Sequence, residues 1–300
     1  MKQEPDVFTP DEGEVHFPFV WFVISVVLNV TATVYLYWLL ARGAFTAEYT
    51  MPAYSTVGWA LVLGLPLSLF EYLYHRYLLH NAILPFLMSM CKSHKNHHGL
   101  TNVTTSVKQV DGDGLIPVEN NYPIEVVEQE DSMHFPLYSM VIFQAVFGIL
   151  LALPLKLIFP GQPVLLATIT SVTVYFVWYE VWHMVQHLPY SRYWMPLLAK
   201  SAIIRRIYNF HLVHHFRQNM NMAVVGFYGF AVWDHVFRTC YRMAKLPVKG
   251  SRVPLDDAVS KLEPRWPISL LDRWKAPMQR WSRRVEDWGR RVIRIKKTAL

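Results

Sequence analysis

Cysteine and charge are both scarce in this chain. Only Cys91 and Cys240 occur among its 300 residues, so a disulfide framework of the kind that staples small secreted domains is excluded. Charged residues reach only 17%, against 53% hydrophobic and 15% aromatic, the reverse of a disordered chain. Acidic residues are scarce in one part. Residues 188–300 hold 7 Asp and Glu against 22 Lys and Arg, net +15, whereas residues 1–187 hold 15 against 7, net −8. A basic part joined to an apolar part is the pattern of a membrane protein with a basic cytoplasmic face, and no nucleic-acid partner is expected.

Charge is missing altogether from four long stretches: Phe17–Ala41, Tyr49–Phe70, Phe135–Leu155 and Leu157–Tyr179. Each is long enough for a bilayer, which takes about 20 apolar residues. The last two are parted only by Lys156 and Pro160-Gly-Gln-Pro163, and the first two by a short turn at Arg42–Glu48, so two hairpins are expected. The first 16 residues are acidic and lack the basic start of a cleavable signal. Both hairpin turns are poor in Lys and Arg, while 22 follow the fourth stretch, which predicts cytoplasmic termini. The expected fold is all-α: four transmembrane helices in two hairpins under a cytoplasmic helical cap. It divides into an acidic tail over 1–16, a membrane-embedded domain over 17–245 and a basic tail over 246–300. A fifth uncharged stretch, Ala223–Trp233, is too short to span and is expected to be buried or re-entrant.

What is abundant is histidine, at 13 residues, and ten of them cluster. The clusters are His75 and His80 (HX4H), His94, His97 and His98 (HX2HH), His183 and His187 (HX3H), and His211, His214 and His215 (HX2HH). Positions i, i+3 and i+4 of a helix share a face, so each HX2HH box is expected to aim three imidazoles at one point. HX4H subtends about 140° on an α-helix and needs a distorted helix end. Neutral imidazole is the commonest metal ligand and suits iron, zinc, copper and nickel. Ten are too many for one ion and suit two. A bis-histidine haem protein would instead use isolated histidines on facing helices. Boxes one and three extend the second and fourth stretches, and an even number of spans lies between boxes two and three, so all four can meet in one cytoplasmic layer.

Glu71 lies four residues before His75, and Glu180 three before His183. Each is expected to orient a ligating imidazole, as is Asp234, since an acid at a membrane boundary is usually paired or functional. His16, His134 and His235 belong to no box and are expected to be surface or locally bonded residues.

Over residues 60–245 the chain resembles the fatty acid hydroxylase / sterol desaturase superfamily of membrane oxygenases. The likeness rests on Glu71-Tyr-Leu-Tyr-His75-Arg-Tyr-Leu-Leu-His80, on His94–His98 and on Tyr179-Glu180-Val-Trp-His183. It continues through Tyr208-Asn-Phe-His211-Leu-Val-His214-His215-Phe216 and Trp233-Asp234-His235-Val-Phe-Arg-Thr239. The opening and closing motifs look nearest to the fatty acid 2-hydroxylase branch. Three features depart from it: Glu180 in place of Asp, Leu188 in place of a further histidine, and 23 residues between boxes three and four. The resemblance implies that the ten box histidines hold two metal ions, iron, with zinc possible in isolated protein. It further implies O2 as co-substrate and hydroxylation of a lipid C–H bond, or desaturation as the alternative within the class. No cytochrome b5-like or flavin domain fits the remaining sequence, so the reductant is expected to come from a separate electron-transfer protein. The rival of another class is a non-catalytic metal-binding or metal-transport protein. It is disfavoured because the four uncharged stretches hold no histidine, Asp or Glu.

Two segments remain. Trp274, Met278, Trp281, Val285, Trp288, Val292 and Ile295 repeat at 4-3 spacing among Arg280, Arg283, Arg284, Arg290, Arg291 and Arg294. Such a helix either lies on an anionic membrane surface or packs its stripe on the domain or a neighbouring chain. The segment Asp111–Asp131 carries seven acids and no Lys or Arg, and is expected to be a solvated loop.

Overall fold

The computed structural model describes residues 19–298, apart from 86 and 137 and the side chains of 107 and 293–298. His16, Ile295 and Arg294 therefore lie outside the residues or side chains described. The chain is mostly helical, and four helical stretches are long and apolar enough to cross a membrane. They are Phe19–Leu40 (α1), Ala53–Leu79 (α3, Ala53–Tyr74, continued by a π-helical turn), Ser139–Ile158, and Val164–Gln186 (α8). The third combines α6 (Ser139–Phe147), a π turn and α7 (Leu153–Ile158). α8 packs against α1, α3 and α6. By contrast, α1 buries only Phe22 and turns Trp21, Leu28, Leu36 and Leu40 outward, as an apolar helix with lipid around it can do.

One boundary differs from the sequence reading. Arg42–Tyr49 is a helix (α2), and its Glu48 is buried. The Glu48 carboxylate accepts from Leu166 N–H at 2.9 Å, at the start of α8, and pairs with Lys156 Nζ at 2.6 Å. A carboxylate at a helix N-terminus meets donors with no partner inside the helix, which ties the two inter-span regions together. As expected for boxes that extend the second and fourth stretches, α3 and α8 run beyond them. No breaker follows Phe70 or Tyr179, so the helices carry Glu71 and His75, and Glu180 and His183, in their final turns. The stretches lack histidine and acids, but the helices do not.

The rest of the box-bearing layer is α4 (Met88–Leu100), α5 (Val127–Asp131), α9 (Met195–Lys200), α10 (Ala202–Phe216) and α11 (Val232–Val236). Ser201 caps α10, its hydroxyl accepting from Ile204 N–H at 3.3 Å. The fold is not wholly helical: β1 (Val103–Thr105), β2 (Leu115–Asn120) and β3 (Arg252–Pro254) form an antiparallel sheet in that order. β2 alternates, with Ile116, Val118 and Asn120 buried and Glu119 exposed. The acidic segment is thus a folded element in which Asp113, Glu119, Glu125, Glu128 and Asp131 are exposed, Glu130 is buried, and Ile116, Tyr122 and Ile124 fill the core, which corrects the solvated loop. The basic C-terminal part is built in as well. β3 pairs with β2, α12 (Leu255–Val259) follows it, and Ile268 at the start of α13 (Ile268–Thr298) packs with Tyr72, Tyr77, Met222 and Phe237.

Candidate metal centre

Box one sits on the π turn His75–Leu79, closed by His80 N–H donating to His75 C=O at 3.1 Å. An i+5 bond widens the turn and brings residues five apart onto one face, the distortion that HX4H needs. Box two lies on α4, box three at the end of α8 and box four on α10. All ten box histidines are buried.

They gather into two groups. His75, His80, His94, His98 and His214 offer one nitrogen each within 4.8 Å of one another, as do His97, His183, His187 and His215. His211 adjoins the second group, its Nε2 3.2 Å from that of His187. The HX2HH boxes therefore do not aim at one point. On α4 the i and i+4 residues His94 and His98 serve the first group and His97 the second. On α10 the i and i+4 residues His211 and His215 serve the second and His214 the first. At 100° per residue, i+3 and i+4 lie about 100° apart, so a helix wedged between two centres serves both. The groups meet where His98 and His215 stack with ring centroids 4.2 Å apart.

Backbone carbonyls fix the tautomers. His75 Nδ1 lies 2.6 Å from Met222 C=O and His214 Nδ1 2.8 Å from Met220 C=O. In the second group His187 Nδ1 lies 2.7 Å from Tyr122 C=O and His215 Nδ1 2.9 Å from Thr101 C=O. A carbonyl can only accept, so each of these Nδ1 atoms carries the proton and each Nε2 presents a lone pair. In the first group five Nε2···Nε2 contacts fall at 3.0–3.2 Å, joining His75 to His94, His80 to His94 and His214, and His98 to His94 and His214. Only His80, His94 and His98 could still donate there, one proton each, so at least two contacts set lone pair against lone pair. A cation between them removes that repulsion. Metal–nitrogen bonds of about 2.1 Å at right angles would place neighbouring nitrogens about 3.0 Å apart, the spacing seen. In the second group, Nε2 of His97 and of His215 is buried without a hydrogen-bond partner. The residues present fit two metal ions.

Burial keeps the imidazoles neutral. It pushes His80, His94, His97, His98, His211, His214 and His215 well below the usual histidine range, and His187 down to about 3. Neutral imidazole is the ligating form.

The carboxylates act at one remove. Glu71 touches no imidazole; it accepts from the N–H groups of Val224, Val225 and Gly226 at 2.7–2.8 Å. Asp234 accepts from Met222 and Ala223 N–H at 2.8 and 3.0 Å and from Thr239 Oγ1 at 2.7 Å. Burial raises the Asp234 pKa, and these donors oppose the rise. Together the two acids clamp loop 220–226, whose Met220 and Met222 carbonyls hold His214 and His75. Gly226 is required in that loop: its φ is +60°, and a Cβ there would strike the Phe230 carbonyl. Glu180 binds His134 Nδ1 at 3.2 Å and the Phe135 N–H, again not a box histidine. His134 is thus locally bonded, and His235 is exposed.

Sequence reasoning missed the supporting groups Met220, Met222, Tyr122 and Thr101. They act through carbonyls, which every residue owns, so no residue-type signal marks them. Tyr122 also lays its ring on His187, centroids 4.0 Å apart.

Two cavities flank the centre. One, among α3, α6 and α8, is lined by Leu67, Phe70, Phe143, Phe147, Tyr175 and Tyr179 among others. The other is lined by His94, His97 and His183 with Ser89, Ser93 and Ser132, and Phe135 and Tyr179 border both. Comparison with models of protein families, with characterised proteins and with solved structures finds no match to this chain.

Proposed function

We propose that this protein is an integral-membrane, non-haem dimetal oxygenase that hydroxylates a C–H bond of a lipid. The observation that carries this reading is the two adjoining groups of buried, neutral imidazoles beside an aromatic cavity at the ends of apolar helices. Two ions, iron in this reading, would lie in the two groups, the first held by His75, His80, His94, His98 and His214. The second would be held by His97, His183, His187 and His215, with His211 beside them. Five nitrogen donors exceed the four of a tetrahedral zinc site, which favours a metal of higher coordination. When bound, the metals supply the O2 activation that an unactivated C–H bond requires.

The chain's own residues bind, orient and keep the site dry. Leu67, Phe70, Phe143 and Phe147 take an acyl or sterol-like tail from the bilayer, and Phe135 and Tyr179 pass the reacting carbon toward His97 and His183. Tyr122, fully buried with its ring against His187, His211 and His215, shields the second group from water. The balanced reaction takes one O2, two electrons and two protons to the alcohol and one water, the electrons arriving from a separate redox protein. Both termini and the histidine layer lie on the cytoplasmic side of a two-hairpin arrangement, where the basic C-terminal part belongs.

The test has two parts. Metal analysis of the purified chain should find about two iron per chain, and lipid mass spectrometry of cells with and without the protein should find a species heavier by one oxygen. A species lighter by two hydrogens would identify a desaturase instead. Absence of bound metal would overturn the reading.

A further inference from the structure

α13 packs in an unusual sense. The buried residues of its described part are Ile268, Ser282 and Glu286, and the half-buried Asp272, Lys275 and Gln279 continue the same 4-3-4-3-4 row, polar after Ile268, with Met278 and Val285 half-buried beside it. Asp272 pairs with the buried Arg76 at 2.5 Å and accepts from Tyr77 Oη at 3.0 Å, while Gln279 reaches Asn81 at 3.2 Å. The aromatic stripe faces away: Trp274, Trp281 and Trp288 are 56%, 51% and 64% exposed. The three tryptophans thus do not pack on the domain, one of the two sequence expectations for the stripe, while its aliphatic members Met278 and Val285 are half-buried.

Helical geometry sets Arg273, Arg280, Arg284 and Arg291 in one row beside the stripe, all exposed. The helix holds ten basic and three acidic residues, and two of those acids, Asp272 and Glu286, pair with Arg76 and Arg290. A tryptophan stripe edged by arginine matches the boundary between acyl chains and anionic headgroups. The position agrees: α13 is fastened to the end of the membrane-length helix Ala53–Leu79. Where they meet, Phe70, Leu73 and Tyr77 face Leu271 and Met278 across an apolar groove, with Lys275 its one charge.

We propose that α13 is an interfacial helix that binds the anionic phospholipid surface of the membrane its own chain crosses, one acyl chain seating in the groove beside Lys275. A second copy of the chain is the poorer occupant. Its arginine row would meet another arginine row, with Asp287 the one unpaired acid among the described residues of the helix. The proposal is independent of the dimetal reading, and no part of its test reads catalysis.

Full-length protein reconstituted in nanodiscs of phosphatidylcholine, with and without phosphatidylserine, tests it. Amide exchange over residues 270–292 should slow at least tenfold when phosphatidylserine is present. The variant Arg273→Gln, Arg280→Gln, Arg284→Gln, Arg291→Gln should lose that difference while keeping the parental metal content. In the parental chain, lipid brominated in its acyl chains should quench a share of the fluorescence that disappears in Trp281→Phe. Equal exchange in both lipids, no Trp281 share of the quenching, or protection that appears only with dimer formation would each overturn the proposal.

Discussion

The two histidine groups are built to one plan and supported in different ways. Each takes a paired box, an i and i+4 pair from one HX2HH box and the single i+3 histidine of the other, if His211 is counted with the second. The first group is braced by loop 220–226, clamped by the side chains of Glu71 and Asp234. The second is braced by Tyr122 and Thr101, which flank the sheet strands, so its support comes from backbone pairing. The first group therefore depends on two carboxylates beside its bracing loop, and the second on the bonds that hold the ends of the sheet strands.

Removing ligands should break the comparison most strongly. His94→Ala or His214→Ala should empty the first group and His183→Ala or His187→Ala the second, leaving about one metal of two. All four should lower lipid oxidation at least 100-fold, as should His97→Ala, whereas His235→Ala should stay within twofold. Metal stoichiometry with product analysis checks this, and full activity in any ligand variant would remove the catalytic reading.

Changing the supports should separate the groups. Glu71→Gln or Asp234→Asn should weaken metal binding about 10–100-fold at the first group alone, the usual loss for a ligand's supporting partner. Asn120→Ala should act on the second. Its side chain donates to Pro247 C=O at 2.6 Å and accepts from Tyr122 N–H at 2.8 Å, and losing both costs about 1–3 kcal/mol. Metal titration resolves the two, and equal losses at both groups would mean that they share one support.

Acid should affect both. The folded pKa of His187 falls from 6.5 to about 3, and the other buried box histidines beyond the apolar helices shift the same way. Below pH 6.5 the unfolded chain takes up protons that the folded chain refuses, so stability falls as pH drops, by about 2 kcal/mol at pH 5 for one such histidine. Unfolding of metal-stripped protein between pH 7 and 5 should show this slope, and a flat profile would contradict neutral burial. The smallest effect belongs to Ser201→Ala, which removes the α10 cap at a cost of about 1 kcal/mol, visible in thermal unfolding with both metals retained.

Much of this was legible in advance because it rests on residue type. The apolar stretches mark the membrane-length helices, and ten clustered imidazoles mark the centre. The crossing of boxes two and four between the groups was not, because helical spacing says which residues share a face but not what stands on either side of it. Nor was the job of Glu71, whose closeness to His75 on α3 pointed to an imidazole while its actual partners are three amides 153–155 residues away. The sheet was hidden because β1 and β3 are three residues each and β2 carries a proline inside it and a polar residue, Asn120, at a buried position.

The π turn at His75–Leu79 also sets which length changes this chain can absorb. A π turn is an α-helical turn with one residue too many. Box one can thus be viewed as box three with a single residue inserted, and the surplus is taken up locally instead of rotating everything beyond it. Deleting Leu79 should convert the turn to α and leave the two histidines four apart, the spacing of His183 and His187, so that one lost residue at this point amounts to a change of helix type and not of ligand set.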